Sequence, residues 1–364
     1  MNFFKQVLEH VKVHKLKFYF FLFLIVIGVY TVNLLVDAGV FTKLHPHFKG
    51  QCVSYNAIAG AEDMEFSKSR QTLFISSDFR PESEGDSTPN GELYIWTANE
   101  ISRGDSPPHK SSWGAPFSFH PHGLGLLDGP EGPRLWVVNH RTAEETSIEV
   151  FDFIKGQLVH VTSIFDPTLT NANDIAPVDR ETFYVTLDHR GKSNFQKKIE
   201  DYLRLGLGKV IFFDGKKFEA KASGIQFANG IQLTKDRLKL FVASMTSKFI
   251  LIYRRHPMTN DLEFIEKKEL PSAPDNLTLD DTEENLWIGA HPKLLALAKQ
   301  MHHHQIHAPA QVLRMNLKNN SLIEEIFLDD GKQISSTSVA VKIGKNLILG
   351  SIFGDNILKC QPVE

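Results

Sequence analysis

The chain has 364 residues, of which 42% are apolar and 23% charged, and it carries a net charge of -3. This composition is typical of a globular protein with a large core and excludes an intrinsically disordered one. Acidic and basic residues are interspersed, so the sequence offers no basic stripe of the kind that binds nucleic acid, and we expect no nucleic-acid partner.

The N-terminal segment contains an uncharged apolar run from Phe18 to Val36. A run of this length crosses the hydrocarbon layer of a membrane, about 30 Å thick, as a helix. Lysines precede the run and only Asp37 follows it closely, which predicts a cytoplasmic N-terminus and an exported body. A buried core helix and a cleaved signal peptide are the alternatives. We expect an uncleaved signal anchor, because the run is longer than the apolar part of most signal peptides.

These features predict a cytoplasmic segment 1–17, a membrane helix 18–36, a linker 37–50 and an exported domain 51–364. The domain would lie on the extracytoplasmic side of the membrane, or be secreted if the helix is cleaved. Its two cysteines, Cys52 and Cys360, stand near its two ends. Thiols oxidise outside the cytoplasm, so we expect a disulfide between them; two free buried thiols are the alternative.

Six segments of the exported domain repeat one pattern of alternating apolar residues, a turn and an apolar strand. They begin at residues 60, 119, 171, 227, 274 and 335. Each predicts a β-hairpin, and strand-like stretches between them, such as SIEVFDF, raise the number to about four strands per repeat. The prediction is an all-β fold, a six-bladed β-propeller; an irregular pair of β-sandwiches is the alternative.

Residues 193–206 interrupt the β pattern. Phe195, Ile199 and Tyr202 are spaced as on one face of an amphipathic helix that Ser193 or Asn194 would cap. This helix is a second candidate for contact with a membrane surface, or a lid beside the active site; a helix packed on the propeller rim is the alternative.

The beginnings of the repeats carry polar side chains that a propeller brings together at its central channel. Carboxylate and amide oxygens are the ligands that Ca²⁺ prefers. Because these residues recur at the same position of successive repeats, a cation site is favoured over simple turn capping. The run MHHHQIH at 301–307 lacks matching carboxylates and is predicted to be a solvated loop rather than a zinc site. The channel residues are Glu62, Asp63, His122, Asn173, Asp174, Asn229, Asp275, Asn276 and Ser335 to Ser338.

Histidines form a second group of candidates. His122 begins the second repeat and His140 ends the same hairpin, so an antiparallel return brings both to one end of the blade. A neutral histidine oriented by another can act as a general base toward water. His189 and His291 end the matching strands of repeats three and five and are expected to line the same face. His120 is assigned to the rim with no role.

Several motifs occur in a fixed order: PHG, VVNH, NANDIAP, FYVTLDH, FANGIQL, PDNLTLD and LWIGAHP. In this order they resemble the serum paraoxonase and arylesterase family of six-bladed propellers. The resemblance covers the chain from Ala57 to Cys360. The resemblance implies calcium-dependent hydrolysis of esters or lactones in a central channel, with phosphotriester hydrolysis as a side reaction. It also implies a disulfide between the two cysteines and an uncleaved N-terminus.

The resemblance also implies site residues. His122 and His140 would form a catalytic dyad, with a calcium-bound carboxylate such as Asp275 as a rival base for phosphotriesters. Phe227, His189 and His291 would line the substrate pocket. Two calcium ions are implied: the catalytic one would bind Glu62, Asn173, Asn229, Asp275 and Asn276, and the structural one Asp63, Asp174 and the backbone carbonyl of Leu124.

The sequence departs from the family pattern at Ala290, where relatives have a cysteine, and in the loop from Arg80 to Asn90 and the helix 193–206. Substrate preference therefore does not transfer. A gluconolactonase-like or strictosidine-synthase-like propeller and a non-catalytic, membrane-tethered binding module are the alternative functions. Asn319, in the sequence NNS, is the predicted glycosylation site, since Asn276 is assigned to the metal.

Overall fold

The computed structural model describes residues 2–56, 58–79, 89–111, 113, 115, 117–142, 144–303, 305–319 and 322–362, with side chains from residue 15 onward. Most of the loop from Arg80 to Asn90 lies outside the described residues. The chain divides into two units, Met1–Lys43 and Leu44–Glu364.

The first unit is dominated by one long helix, α1 (Asn2–Asp37). The part of it from Lys15 to Asp37 has a mean hydropathy of 2.3 and is, by length and composition, able to cross a membrane. The predicted span 18–36 lies inside this part, so the expected apolar helix is confirmed.

The second unit is all-β, and its described residues contain six sheets. Blade 1 consists of β3 (Ala61–Ser67), β4 (Thr72–Ser77), β5 (Glu92–Thr97) and β6 (His109–Lys110), with helix α2 (Ala98–Arg103) after β5. Blade 2 consists of β7 (Pro121–Leu127), β8 (Arg134–His140), β9 (Thr146–Ile154) and β10 (Gln157–Phe165), followed by a 3-10 helix (Pro167–Asn171). Blade 3 consists of β11 (Ala172–Pro177), β12 (Phe183–Leu187), β13 (Gly208–Phe213) and β14 (Phe218–Ile225), with helix α3 (Asn194–Tyr202) after β12.

The remaining blades follow the same plan of antiparallel strands. Blade 4 consists of β15 (Ala228–Leu233), β16 (Lys239–Ser244), β17 (Phe249–Arg255) and β18 (Leu262–Glu269). Blade 5 consists of β19 (Ala273–Leu279), β20 (Asn285–His291), β21 (Ala310–Asn316) and β22 (Leu322–Asp329), with helix α4 (Leu294–His302) after β20. Blade 6 consists of β23 (Thr337–Ile343), β24 (Asn346–Ser351) and β25 (Asn356–Pro362).

The innermost strands β3, β7, β11, β15, β19 and β23 contact one another in that order, and β23 returns to β3. They therefore form a closed ring around a central channel, and the predicted six-bladed propeller is confirmed. Alternation along each strand places apolar side chains on both faces of a blade. Leu73 and Ile75 thus pack against blade 6, whereas Phe74 packs against blade 2. An apolar cluster of this kind fills every gap between neighbouring blades.

Blade 6 is completed by the start of the domain. Strand β2 (Gly50–Asn56) pairs antiparallel with β25, with Cys52 opposite Cys360. These cysteines form the predicted disulfide. A short strand before it, β1 (His47–Phe48), adds a fifth strand to the outer edge of blade 5.

Helices α3 and α4 follow the second strands of blades 3 and 5. Helix α3 lies within the predicted segment 193–206, and Ser193 caps it as expected. Helix α4 was missed, and the prediction of a loop over 301–307 is wrong at its start, because Met301 and His302 belong to the helix. The preceding residues LLALAK are strong helix formers, and their propensity decides the local structure.

Candidate active site

A β-bulge interrupts the pairing of each innermost strand with the next strand of its blade. The register shifts fall between Ala61 and Asp63, Pro121 and Leu124, Ala172 and Ile175, Ala228 and Ile231, Pro274 and Leu277, and Thr337 and Val339. Bulges redirect side chains and are frequent beside functional sites. The residues they skip are Glu62, His122, Gly123, Asn173, Asp174, Asn229, Gly230, Asp275, Asn276 and Ser338.

Two of these bulges contain a glycine because neighbouring backbones meet there. A Cβ atom on Gly123 would lie 2.3 Å from the carbonyl oxygen of Asn173, and one on Gly230 would lie 2.5 Å from that of Asp275. The glycine after His122 and the glycine after Asn229 thus permit the close approach that draws the ring together.

In the upper layer of the channel, hydrogen bonds join residues of blades 1, 5 and 6. Asn276 Nδ2 donates to Glu62 Oε1 at 3.0 Å, and Ser338 Oγ donates to the carbonyl oxygen of Glu62 at 2.6 Å. Asp275 Oδ2 lies 2.7 Å from His291 Nε2. His291 was predicted to line the pocket; it is buried, and its described contact is with Asp275.

Unsatisfied amide oxygens mark this layer as a place for a cation. Within the described part of the chain, Asn173 Oδ1, Asn229 Oδ1 and Asn276 Oδ1 are buried and accept no hydrogen bond. Leaving one such group unpaired costs about 1–3 kcal/mol, so three from different blades call for a shared partner. Oxygen donors of carboxylates and amides fit a hard cation such as Ca²⁺. Among the described residues no group of three or more His, Cys, Asp or Glu is arranged for a metal.

Two carboxylates form a second layer below the first. Asp63 Oδ2 accepts a hydrogen bond from the Leu124 N–H at 2.7 Å, and Asp174 Oδ2 accepts one from the Ile231 N–H at 2.8 Å. Burial raises the pKa of both carboxyl groups well above the usual value, and the charge of Glu62 adds to this effect on each. A divalent cation between them would offset that cost. The carbonyl of Leu124 remains a predicted ligand.

The two predicted dyad histidines are adjacent at the upper end of blade 2. The ring centroids of His122 and His140 are 5.2 Å apart, with an angle of 62° between the planes. His122 Nδ1 lies 3.7 Å from Glu62 Oε2. His140 Nδ1 lies 3.1 Å from Thr146 Oγ1, which fixes its ring. His122 thus sits between a carboxylate of the upper layer and a second imidazole.

His120 has different partners. Its Nδ1 lies 3.0 Å from Asp78 Oδ1, and its backbone N–H donates to Asn139 Oδ1 at 2.8 Å. Its backbone carbonyl accepts a hydrogen bond from the N–H of His140. These contacts brace the turn that leads to His122.

Apolar side chains surround the upper mouth. Phe227 has a φ of +54°, an uncommon conformation for a bulky residue, at the start of blade 4. Strained backbone of this kind clusters at functional sites. Helix α4 contributes residues to the same apolar cluster, and these residues were not predicted from the sequence. The cluster contains Phe227, Met245, Ala273, Leu294, Leu297, Ile352 and Phe353.

His189 lies beside Phe227, with 4.8 Å between ring centroids. Its Nδ1 is 2.9 Å from Asp188 Oδ1 and its Nε2 is 3.1 Å from Asp201 Oδ1. Burial opposes the charged imidazolium, but the hydrogen bonds and charges of the two carboxylates outweigh it and raise the pKa of His189 to about 9. His189 therefore carries a positive charge at neutral pH and ties helix α3 to the end of β12.

The predicted glycosylation site lies away from the channel. Asn319 is exposed in the turn after β21, and its N–H donates to Asn316 Oδ1 at 2.7 Å. The next two residues of the NNS sequence lie outside the described part of the chain.

Fold and channel together define a six-bladed β-propeller with an oxygen-lined axial site. The sequence profile of the arylesterase family matches residues 91–361. The chain therefore belongs to the paraoxonase/arylesterase family, as its motifs predicted.

Curated relatives agree with this assignment. The chain is 29% identical over 256 residues to serum paraoxonase/arylesterase 2 of Rattus norvegicus, and the match covers 69% of this chain and 71% of the relative. It is 28% identical over 302 residues to serum paraoxonase/arylesterase 2 of Gallus gallus, and the match covers 81% of this chain and 84% of the relative. It is 27% identical over 325 residues to serum paraoxonase/arylesterase 1 of Rattus norvegicus, and the match covers 86% of this chain and 90% of the relative.

Solved structures share the architecture at low identity. A luciferin-regenerating enzyme is 14% identical with a TM-score of 0.51, covering 85% of this chain and 95% of its own. Regucalcin from Agrobacterium tumefaciens, described as a calcium-binding protein, is 12% identical with a TM-score of 0.51, covering 87% and 96%. These likenesses show the fold alone.

Proposed function

We propose that this chain is a calcium-dependent hydrolase of carboxylic esters, acting on aryl esters and lactones. Membership in the paraoxonase/arylesterase family supports the reaction class. The observation that carries the metal is that, among the described residues, three buried amide oxygens on the neighbouring innermost strands β11, β15 and β19 accept no hydrogen bond. The description of regucalcin as calcium-binding is consistent with a cation in a propeller of this kind.

Glu62, Asn173, Asn229, Asp275 and Asn276 would hold the first ion, which supplies Lewis-acid polarisation of the ester carbonyl and charge opposite the developing oxyanion. His122 takes the proton of the attacking water. The carboxylate of Glu62, 3.7 Å away, stabilises the imidazolium that results. His140, fixed by Thr146, keeps the ring of His122 in place.

We assign the role of base to His122 and not to Asp275, the rival candidate. Asp275 Oδ2 is engaged by His291 Nε2 at 2.7 Å, and Asp275 belongs to the proposed ligands of the first ion. Phosphotriester hydrolysis would be a side reaction.

Asp63 and Asp174 would hold the second ion, with the carbonyl of Leu124 as a further ligand. Their burial makes two uncompensated negative charges costly, so a bound cation would stabilise the centre of the ring. This ion is assigned to stability and contributes no step of the reaction.

The apolar cluster at the mouth would receive the acyl or aryl group of the substrate. Phe227 and His189 form one wall through their ring contact. Leu297 from helix α4 and Ile352 after β24 belong to the same cluster. A site of this composition selects substrates by apolar size and shape.

We further propose that helix α1 anchors the protein, with segment 1–17 in the cytoplasm and the disulfide-containing propeller, residues 51–364, outside it. Helix α3 is a second contact with the membrane surface, since Phe195 is 74% exposed and Ile199 and Tyr202 are exposed beside it. Secretion after cleavage is the other outcome, and N-terminal sequencing of the mature protein distinguishes the two. Asn319 would carry a glycan in a eukaryotic host.

The decisive experiment is hydrolysis of a panel of aryl esters, short and long lactones and one phosphotriester, with calcium and with a chelator. We expect hydrolysis of at least one ester or lactone that the chelator abolishes and added calcium restores. Binding of calcium without any hydrolysis would indicate a non-catalytic binding module instead. Chelator-resistant hydrolysis would reject the metal mechanism.

A further inference from the structure

The end of the channel opposite the active site opens into a cavity of about 580 Å³. Its lining includes residues from all six innermost strands, each taken from the later part of its strand. Among them are the polar side chains of Glu65 on β3, Gln232 on β15 and Thr278 on β19. The proposed reaction makes no use of this cavity.

A hydrogen bond crosses the channel where it meets the cavity. Gln232 Nε2 donates to Glu65 Oε1 at 3.3 Å, although the two residues belong to blades 1 and 4, which stand opposite each other in the ring. The amide of Gln232 is fixed at both ends: its Nε2 also donates to the carbonyl of Leu277 at 3.3 Å, and its Oε1 accepts from the N–H of Leu233 at 3.1 Å.

This bridge lies next to the second cation layer. Glu65 follows Asp63 by two residues on β3, a distance of about 7 Å along a strand. Gln232 follows Ile231, whose N–H binds Asp174. An ion that moves between Asp63–Asp174 and the cavity must therefore pass the bridge. In the other direction it would have to cross the first ion's ligands and the apolar cluster at the mouth.

We propose that the Glu65–Gln232 bridge is the gate through which the calcium ion of Asp63 and Asp174 is taken up and released, with the cavity admitting the hydrated ion. This inference rests on the two-ion part of the proposed function. Side-chain oxygens of Glu65 and Gln232 can replace water around the ion as it passes. A gate lies on the path and not in the final site, so it governs the rates of exchange in both directions and leaves the affinity unchanged.

The test uses two substitutions of one residue with opposite effects. Gln232→Ala removes the bridge and leaves a wider path, whereas Gln232→Leu keeps the volume and replaces the polar group by an apolar one. Calcium release from the full-length, calcium-loaded protein is followed by stopped flow with a fluorescent chelator, and uptake by mixing apoprotein with calcium. Gln157→Ala removes an exposed glutamine on the outer strand of blade 2, which does not line the cavity, and is the matched control for a lost amide.

We expect Gln232→Ala to speed both release and uptake of the ion held by Asp63 and Asp174 by about ten-fold, and Gln232→Leu to slow both, while Gln157→Ala follows the wild type. The equilibrium affinity of the ion, from calcium titration, should stay within about two-fold in all variants. Unchanged rates in both Gln232 variants would overturn the gate, and so would a changed affinity with unchanged uptake, since that result marks a ligand. A wild-type protein that binds no calcium would instead overturn the proposed function, and the gate with it.

Discussion

At the scale of single residues, the sharpest contrast is between two histidines that are separated by one proline. His120 binds Asp78, whereas His122 lies beside Glu62 and His140. The sequence assigned them different roles because only His122 shares the register of the channel residues. The structure adds the partners that the sequence could not supply, since Asp78 and Glu62 come from another blade.

His122→Gln removes the proposed base while keeping the size and polarity of the side chain. We expect kcat for an aryl ester or lactone to fall by about 10²-fold or more, the usual contribution of a general base, with calcium affinity retained. His120→Gln is the matched control and should keep most of the activity. Steady-state kinetics and calcium titration measure both; full activity in His122→Gln would reject the dyad and leave the metal role intact.

His189 should make stability depend on pH. Its folded-state pKa of about 9 exceeds the ordinary value of 6.5, so its contribution is fully present below about pH 6.5 and is lost as the pH rises through 9. A shift of this size corresponds to at most about 3 kcal/mol. The difference in the free energy of unfolding between wild type and His189→Gln should therefore shrink from pH 6.5 to 9.5. Urea unfolding of the calcium-loaded proteins measures it, and a constant difference would contradict the assignment.

At the scale of elements, the period of the repeats predicted the blades, because alternation and turn residues are local properties of the chain. The bulges were not predicted, since each depends on how one strand pairs with another and on the approach of a neighbouring blade at Gly123 or Gly230. Helix α4 was not predicted for a different reason: it is a nine-residue helix in the connection between β20 and β21, outside the repeated hairpin pattern.

Helix α4 should influence which esters are accepted. Leu297→Ala removes apolar surface from the mouth cluster, and a loss of this kind is worth about 1–3 kcal/mol in discrimination. We expect kcat/KM for long-chain esters or lactones to fall by about ten-fold, with little change for acetyl esters. Met301→Ala, an exposed position on the same helix, serves as the control. An equal loss for short and long substrates would indicate damage to the fold instead of the pocket.

At the scale of the whole molecule, the ring places several negative charges around one axis. The pKa values of Asp63 and Asp174 are raised by burial and by neighbouring carboxylates. Groups of this kind favour the folded state at low pH and oppose it as the pH rises through the folded-state pKa. The same charges explain why a divalent ion should stabilise the propeller.

Thermal unfolding with and without calcium checks this balance. In chelator, the unfolding midpoint should rise as the pH is lowered from 8 to 5, because protonation relieves the repulsion. In saturating calcium the midpoint should be higher at pH 8 and should fall on acidification, because protons then compete with the ion. Parallel pH profiles in the two conditions would show that calcium does not bind these carboxylates.

The outer strand of blade 6, β2, comes from the start of the domain and pairs with β25 from its other end, and the Cys52–Cys360 disulfide joins the two strands. During synthesis the first partner emerges early and must wait for almost the entire domain before the second one exists. A stop codon before Asn356 would therefore remove β25, and with it the pairing and the disulfide that hold β2. Such a chain would keep its first five blades, so its defect would appear only after most of the domain has been synthesised.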